Sequence, residues 1–272
     1  MFFNILTNVR KKIPLTHCIT NYVTVNSCAN AILAVGGAPI MADDIEEVAE
    51  ITAMSNALVL NIGTLNKRTV QSMVKAGITA NEKGIPVILD PVGVGASNLR
   101  NSATAELINK VKFAAIRGNI SEIKNIYDGS AKAHGVDVDI SDSNIEPQQL
   151  CEYAKVLSLR TGAVIAITGA TDVIAQSEKA ALLKNGNPML SNVTGSGCML
   201  SAITGAFLGA NPNNCWEATV SATALMGIAG EIAQSKTVKN GVGIGSFNVY
   251  LMDALSQIDE AKMKEAIKIE II

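Results

Sequence analysis

The feature that most constrains this chain is a series of short apolar stretches that do not alternate with polar residues. They are LTHCI (15–19), ALVLNI (57–62), PVILD (86–90), FAAIRG (113–118) and AVIAIT (163–168). Apolar side chains at consecutive positions of a strand require burial on both faces. Between these stretches the helical period dominates, at 24–35, 43–55, 66–83, 102–111, 121–127 and 146–161. Strand, helix, strand in repetition implies right-handed crossovers, and so a mainly parallel sheet covered by helices. Segments 173–176 and 179–183 are predicted to form a hairpin through Ser177 and Glu178, and the closing AIKIEII an edge strand. Three helices are predicted after residue 190, near 196–210, 213–234 and 243–258, and an amphipathic helix in the opening MFFNILTNVRKKIP. The polar stretch 129–145 reads as a mobile loop. No repeat or linker divides the 272 residues, so one α/β domain over 1–272 is expected.

Composition removes several function classes. Net charge is -2, and no basic block exceeds Arg10-Lys11-Lys12, so there is no nucleic-acid footprint. No apolar run approaches the ~20 residues of a membrane span. The N-terminal charges follow the apolar run, the reverse of a signal peptide. Five scattered cysteines without a CxxC pair, and only two histidines, argue against a disulfide framework and against a zinc site. A cytoplasmic protein is expected. The chain contains no Gly-Lys dipeptide and hence no P-loop. TGSGCM (194–199) and GVGIGSF (241–247) lack the glycine spacing of a dinucleotide fingerprint.

Ligands of open α/β sheets sit beyond the carboxyl ends of the strands. Those ends carry PVGVGAS after PVILD, RGNISE after FAAI and TGATD after VIAI. The other notable segment is NVTGSGCMLSAITGAF (192–207), where Gly195 and Gly197 open an apolar helix with Cys198 in its first turn. A glycine-lined helix start offers free N–H groups and a positive dipole end to an anion; it is also an ordinary way to pack a helix closely. Asp90 and Glu122 can hold a magnesium ion through water, or simply cap a turn and a helix. Arg117 can grip phosphate oxygens or form a surface ion pair. Asn21, Val23 and Met41 can line a small heterocycle, or be a polar turn and a core methionine. His17 reads as structural and His134 as solvated.

The blocks CITNYVTVNSCANAILAVGGAPIM, ILDPVGVGAS, IRGNISEI, VIAITGATD and NVTGSGCMLSA resemble, in order and spacing, the hydroxyethylthiazole kinases. The resemblance spans nearly the whole chain; its first and last blocks are the specific ones. It implies a ribokinase-like three-layer α/β/α fold and a homotrimer with active sites at subunit interfaces. It also implies ATP- and Mg2+-dependent phosphorylation of the primary hydroxyl of 4-methyl-5-(2-hydroxyethyl)thiazole, a salvage step towards thiamine. Arg117 and Thr168 would then contact ATP, and Asp90 and Glu122 would serve the magnesium and phosphate region. Met41 and Gly195 would line the thiazole site, with Asn21 and Val23 nearby. Gly195 and Gly197 would form the anion hole. Cys198 stands where most ribokinase-like enzymes carry an aspartate base. Rival readings within this fold are an NAD(P)H-hydrate dehydratase and a pyrimidine or pyridoxal kinase.

Overall fold

The computed structural model describes residues 4–134 and 146–272. In chain order the elements are α1 (Ile5–Lys12), β1 (Leu15–Ile19), α2 (Val25–Val35), β2 (Ala38–Ile40), α3 (Val48–Met54), β3 (Ala57–Asn61), α4 (Lys67–Glu82) and β4 (Val87–Asp90). There follow α5 (Asn98–Lys110), β5 (Ala115–Asn119), α6 (Ile120–His134), α7 (Pro147–Thr161), β6 (Val164–Thr168), β7 (Asp172–Gln176) and β8 (Lys179–Leu183). A 3-10 turn (Pro188–Asn192) leads into α8 (Ser196–Ala210), α9 (Cys215–Lys239), α10 (Ile244–Gln257), α11 (Glu260–Ala266) and β9 (Ile269–Ile271).

The nine strands form one sheet in the order β2-β1-β3-β4-β5-β6-β7-β8-β9. It is parallel from β2 to β6 and antiparallel from β6 to β9. Successive strand residues face opposite ways, so two cores result. Val59 and Ile88 face α1, α2, α8, α9 and α10. Leu58, Leu60, Val87 and Leu89 face α4 to α7. The strands are apolar on both faces because both faces are covered, as the non-alternating pattern requires. This is the ribokinase-like three-layer arrangement.

The structure amends the sequence reading in particular places. The stretch 129–145 is not all loop: α6 continues to His134, and 135–145 lie outside the described residues. The helix expected over 43–55 starts at Val48. Strand β2 went unpredicted because it is only Ala-Pro-Ile; proline is tolerated there since β2 is the sheet edge. Helix α11 is a seven-residue addition, capped by Asp259, whose Oδ1 accepts the Lys262 N–H at 2.9 Å.

Helix α8 carries the fold's main packing constraint. It is buried from Met199 to Leu208, enclosed by the sheet, α2 and α9, so it shows no polar stripe. Two small positions seat it on the sheet. A Cβ at Gly205 would collide with the Val59 methyl, and one at Gly209 would stand 3.1 Å from the Asn56 carbonyl oxygen. This close approach brings the start of α8 over the carboxyl ends of β3 and β4. Gly205→Val should lower the unfolding free energy by about 2 kcal/mol or more through overpacking. Gly245→Ala in α10, where an added methyl meets open space, should leave stability unchanged or raise it by a few tenths. Urea denaturation of the two variants checks this; equal midpoints would show that α8 does not depend on the close contact.

Candidate active site

Strand register aligns the polar residues at the sheet's carboxyl edge. Asn61 pairs with Asp90 across β3 and β4, and Asn119 with Thr168 across β5 and β6. Leu89 pairs with Ile116, so the next residues, Asp90 and Arg117, are neighbours. The α8 start lies over this row. Its cap residue Gly195 has φ 86°, a left-handed backbone that glycine adopts without strain, and a side chain there would collide with Thr24.

Around Cys198 the hydrogen bonds fix every amide orientation. The Asn21 carbonyl oxygen accepts the Thr24 N–H at 3.1 Å and the Thr24 hydroxyl at 3.0 Å. Its NH2 group therefore points the other way, to the Asn61 carbonyl oxygen at 3.0 Å and to Cys198 Sγ at 3.2 Å. The Asn61 oxygen also accepts the Gly63 N–H at 2.9 Å. Hence the Asn61 NH2 donates to Asp90 Oδ2 at 2.8 Å and to Cys198 Sγ at 3.3 Å. All four amide hydrogens are used, and a flip of either amide would set donor against donor. The sulfur receives two N–H donors, which leaves the thiol proton free for another acceptor. Cys198 is the half-buried thiol beside this network, whereas Cys18 and Cys28 are buried. Burial pushes the Cys28 thiol up to about 12.

Asp90 is fully buried. Its Oδ2 accepts from Asn61, accepts the Ser201 hydroxyl at 2.7 Å, and lies 3.6 Å from Arg117 Nη1. Its Oδ1 has no partner among the described residues. Burial raises the carboxyl to about 6, against the lowering influence of Arg117, Ser201 and Asn61. Arg117 Nη2 donates to the Thr168 hydroxyl at 2.8 Å. Its guanidinium lies against Gly197, where a Cβ would stand 2.9 Å from Nη1 and 3.0 Å from Nη2. Glycine at 197 thus admits the cation to the helix start. Asp172, at the head of β7, is also raised to about 6 by burial, with the Gly169 N–H and Arg117 pulling it down.

Glu122 has the geometry of a helix cap. Its Oε2 accepts the Asn119 N–H at 2.8 Å while Asn119 Oδ1 accepts the Glu122 N–H at 2.9 Å, a reciprocal capping box. Its Oε1 takes the Gly93 N–H at 2.9 Å and so holds the β4–α5 loop. No cluster of three or more acidic, histidine or cysteine ligands occurs among the described residues. The donor set still suits Mg2+, which keeps several waters and needs only one or two carboxylates. Asp90 Oδ1 is an unpartnered hard oxygen, and each Glu122 oxygen keeps a lone pair beyond its single N–H bond.

The substrate-side residues are less tightly joined. Asn21 belongs to the thiol network. Met41 follows β2, half-buried against the same core as Cys198. Val23 is 60% exposed and its neighbour Tyr22 78%, so neither is covered within this chain. His17 is structural: buried, its Nε2 faces the Ala42 carbonyl at 2.7 Å and therefore carries the proton, while Nδ1 accepts from Thr52 at 2.9 Å. Burial lowers its pKa, so it stays neutral. It anchors the segment beside Met41.

Sequence reasoning missed Asn61, Ser201 and Asp172. Asn61 was visible as a polar end to an apolar strand, in register with Asp90 once strand ends are aligned. Ser201 is a hydroxyl one turn after Cys198 in an otherwise apolar helix.

A family model described as the hydroxyethylthiazole kinase family matches residues 6–261. A hydroxyethylthiazole kinase of Clostridium acetobutylicum is 50% identical over 267 residues, covering 97% of this chain and 97% of that protein. The structure of a hydroxyethylthiazole kinase protein from Pyrococcus horikoshii superposes with a TM-score of 0.87 at 33% identity, covering 100% of this chain and 98% of that one. A Staphylococcus aureus pyridoxal kinase solved with AMP-PCP and pyridoxal shares the fold, with a TM-score of 0.60 at 14% identity over 96% of this chain and 99% of that one. No helix among the described residues is long and apolar enough to cross a membrane.

The raised Asp90 carboxyl predicts a pH signature. Between the ordinary 3.8 and about 6 the native protein retains a proton that the unfolded chain has released. Asp90's contribution is therefore fully present below about 4 and disappears as pH rises through 6. Its size is on the order of 3 kcal/mol. Unfolding free energy measured from pH 4 to 7 in metal-free buffer should fall less steeply in Asp90→Asn than in the wild type. Parallel curves would mean that Asp90 does not titrate in this window.

Proposed function

The chain belongs to the hydroxyethylthiazole kinase family, and from that premise we propose that it transfers the γ-phosphoryl group of ATP to the primary hydroxyl of 4-methyl-5-(2-hydroxyethyl)thiazole. The step salvages thiazole for thiamine. The observation that carries the reading is the convergence on Cys198. A thiol supported by two neutral amides stands at a helix start beside a buried Asp90–Arg117 pair.

Arg117 and the first-turn N–H groups of Gly197 and Cys198 supply positive charge for the migrating phosphoryl group. Phosphoryl transfer has a loose transition state in most analyses, so orientation and charge neutralisation carry most of the catalysis. Mg2+ held through water by Asp90 and Glu122 would supply further neutralisation. Thr168, bonded to Arg117, keeps the guanidinium aimed. Asn21 and Asn61 hold the sulfur as an acceptor so that Cys198 aligns the alcohol and takes its proton late, as the thiol's own proton passes to an oxygen of the transferred phosphoryl group. Met41, Gly195, Asn21 and Val23 receive the heterocycle. Tyr22 and Val23, left to solvent in one chain, support a homotrimer in which a neighbouring subunit completes the site. Five free cysteines are consistent with a cytoplasmic setting.

Incubation with Mg-ATP and, in turn, hydroxyethylthiazole, hydroxymethylpyrimidine, pyridoxal and hydrated NADH should yield ADP with the thiazole alcohol; turnover confined to another acceptor would overturn the assignment. Arg117→Ala should raise KM for ATP by about tenfold or more and change that for the thiazole alcohol by less than about threefold. Comparable loss in both would remove the guanidinium from the nucleotide side. Asn61→Ala should lower kcat by about ten- to a hundredfold with both KM values nearly unchanged, since it removes one donor from the sulfur and one from Asp90. Cys198→Asp should keep kcat within about tenfold, because the same two N–H groups then bind a carboxylate, but should raise KM for ATP through charge repulsion. A folded Cys198→Asp protein without turnover would contradict this role for position 198.

A further inference from the structure

Arg100 breaks a local rule. It lies in the first turn of α5, where the hydroxyl oxygen of the cap residue Ser97 accepts the Arg100 N–H at 3.3 Å. A cation is disfavoured at the positive end of a helix, and this turn carries no acidic residue to offset it. Nor does Arg100 pair with a carboxylate among the described residues. A local cost without a local gain points to a task elsewhere in the fold.

That task is visible in its hydrogen bonds. Nη1 donates to the Ile62 carbonyl at 2.6 Å and to the Val92 carbonyl at 2.5 Å, and Nη2 donates to the Gly63 carbonyl at 2.8 Å. The ladder between β3 and β4 reaches as far as the Ile62 N–H, which donates to the Asp90 carbonyl at 3.1 Å. Beyond that bond Arg100 joins the two loops. A trans peptide is planar, so its C=O and N–H point opposite ways. The peptide that offers the Ile62 oxygen also carries the Gly63 N–H, which holds the Asn61 carbonyl oxygen at 2.9 Å. The peptide that offers the Val92 oxygen also carries the Gly93 N–H, which holds Glu122 Oε1 at 2.9 Å. One guanidinium nitrogen thus fixes two peptide planes. The far edge of the first turns the Asn61 amide towards Cys198, and the far edge of the second seats Glu122. Gly63 also lies against Asn21, where a Cβ would stand 2.9 Å from the amide nitrogen. Both amides that support the sulfur therefore touch the clamped segment.

Resting on the kinase reading, we propose that Arg100 is a positioning residue for phosphoryl transfer: its guanidinium locks the β3–α4 and β4–α5 loops together and so sets the thiol network against the carboxylate side of the site. The planar fork is essential to this. A lysine ammonium is a single point charge on a flexible stem and cannot hold carbonyls on two loops in the same fixed geometry.

The test uses Arg100→Lys in the full-length protein, with Arg100→Gln beside it. Either variant, folded, should lower kcat by about tenfold or more while KM for ATP and for the thiazole alcohol each change by less than about threefold. Iodoacetamide labelling of Cys198, resolved from the other cysteines by peptide mass spectrometry, reads the clamp without substrate. In Arg100→Lys it should slow by about threefold or more, because the thiolate loses aimed N–H donors. In an Asn61→Ala background the same substitution should change the labelling rate by less than about 1.5-fold, since the route through Asn61 is already cut. Unchanged or faster labelling in the single variant, or effects of the two substitutions that simply multiply, would overturn the proposal. So would an unchanged kcat, or failure of both Arg100 variants to fold, which would make Arg100 a residue of folding alone. Wild-type turnover of the thiazole alcohol tests the kinase reading separately, and the labelling comparison judges the clamp whatever that turnover is.

Discussion

One oxygen, Asp90 Oδ2, gathers the site. It accepts from Asn61 on β3 and Ser201 on α8, and it faces Arg117 on β5. Three separate elements are thereby tied to the end of β4. A buried carboxylate without such partners would be expensive, and even here burial raises it to about 6. The three interactions are concentrated on Oδ2 while Oδ1 remains unbonded. The carboxylate is therefore held rigidly on one side and left available on the other, an arrangement that suits a group meant to meet a cation as well as to brace the sheet.

Bracing depends on α8. If the helix did not sit close on β3, Ser201 could not reach Asp90 and Cys198 could not meet Asn61. The glycines at 205 and 209 permit that approach, and the one at 197 leaves space for the guanidinium. Overpacking at 205 would accordingly reach the thiol through the helix rather than through any direct contact. Stability of the central layer and alignment of the reacting groups are one problem in this fold.

The layers and the strands β3 to β8, though not their order in the sheet, were legible because burial on both faces leaves a strong pattern in sequence, as at Leu58, Val59 and Leu60. Elements governed by a few residues were less so. Ala38–Ile40 pairs only because β1 offers its edge, a tertiary fact. Within the site, Asp90, Arg117 and Cys198 stood out as charged or reactive groups at strand and helix ends. Asn61 did not, because an asparagine at a strand end usually means a turn, and its two donor bonds exist only once β4 and α8 are beside it. Glu122 illustrates the reverse case. Its ordinary reading, a capping residue, is what the hydrogen bonds display, and a metal-side role rests on the lone pairs that remain.

The choice of sulfur at 198 follows from the charges already present. Arg117 is shared by Asp90 and Asp172, and it lowers both. A further carboxylate ~4 Å from any of these acids, or from an arriving phosphate, adds about 4 kcal/mol of repulsion per unit-charge pair at an effective dielectric of ~20. A thiol avoids that repulsion and still accepts the Asn21 and Asn61 N–H groups. What it surrenders is basicity, and a loose transition state makes little demand on early deprotonation of the alcohol. In the proposed reaction the network around Cys198 favours the arrival and alignment of a polyanion over proton abstraction. That ordering explains why two neutral amides, rather than a lysine or histidine, support the sulfur.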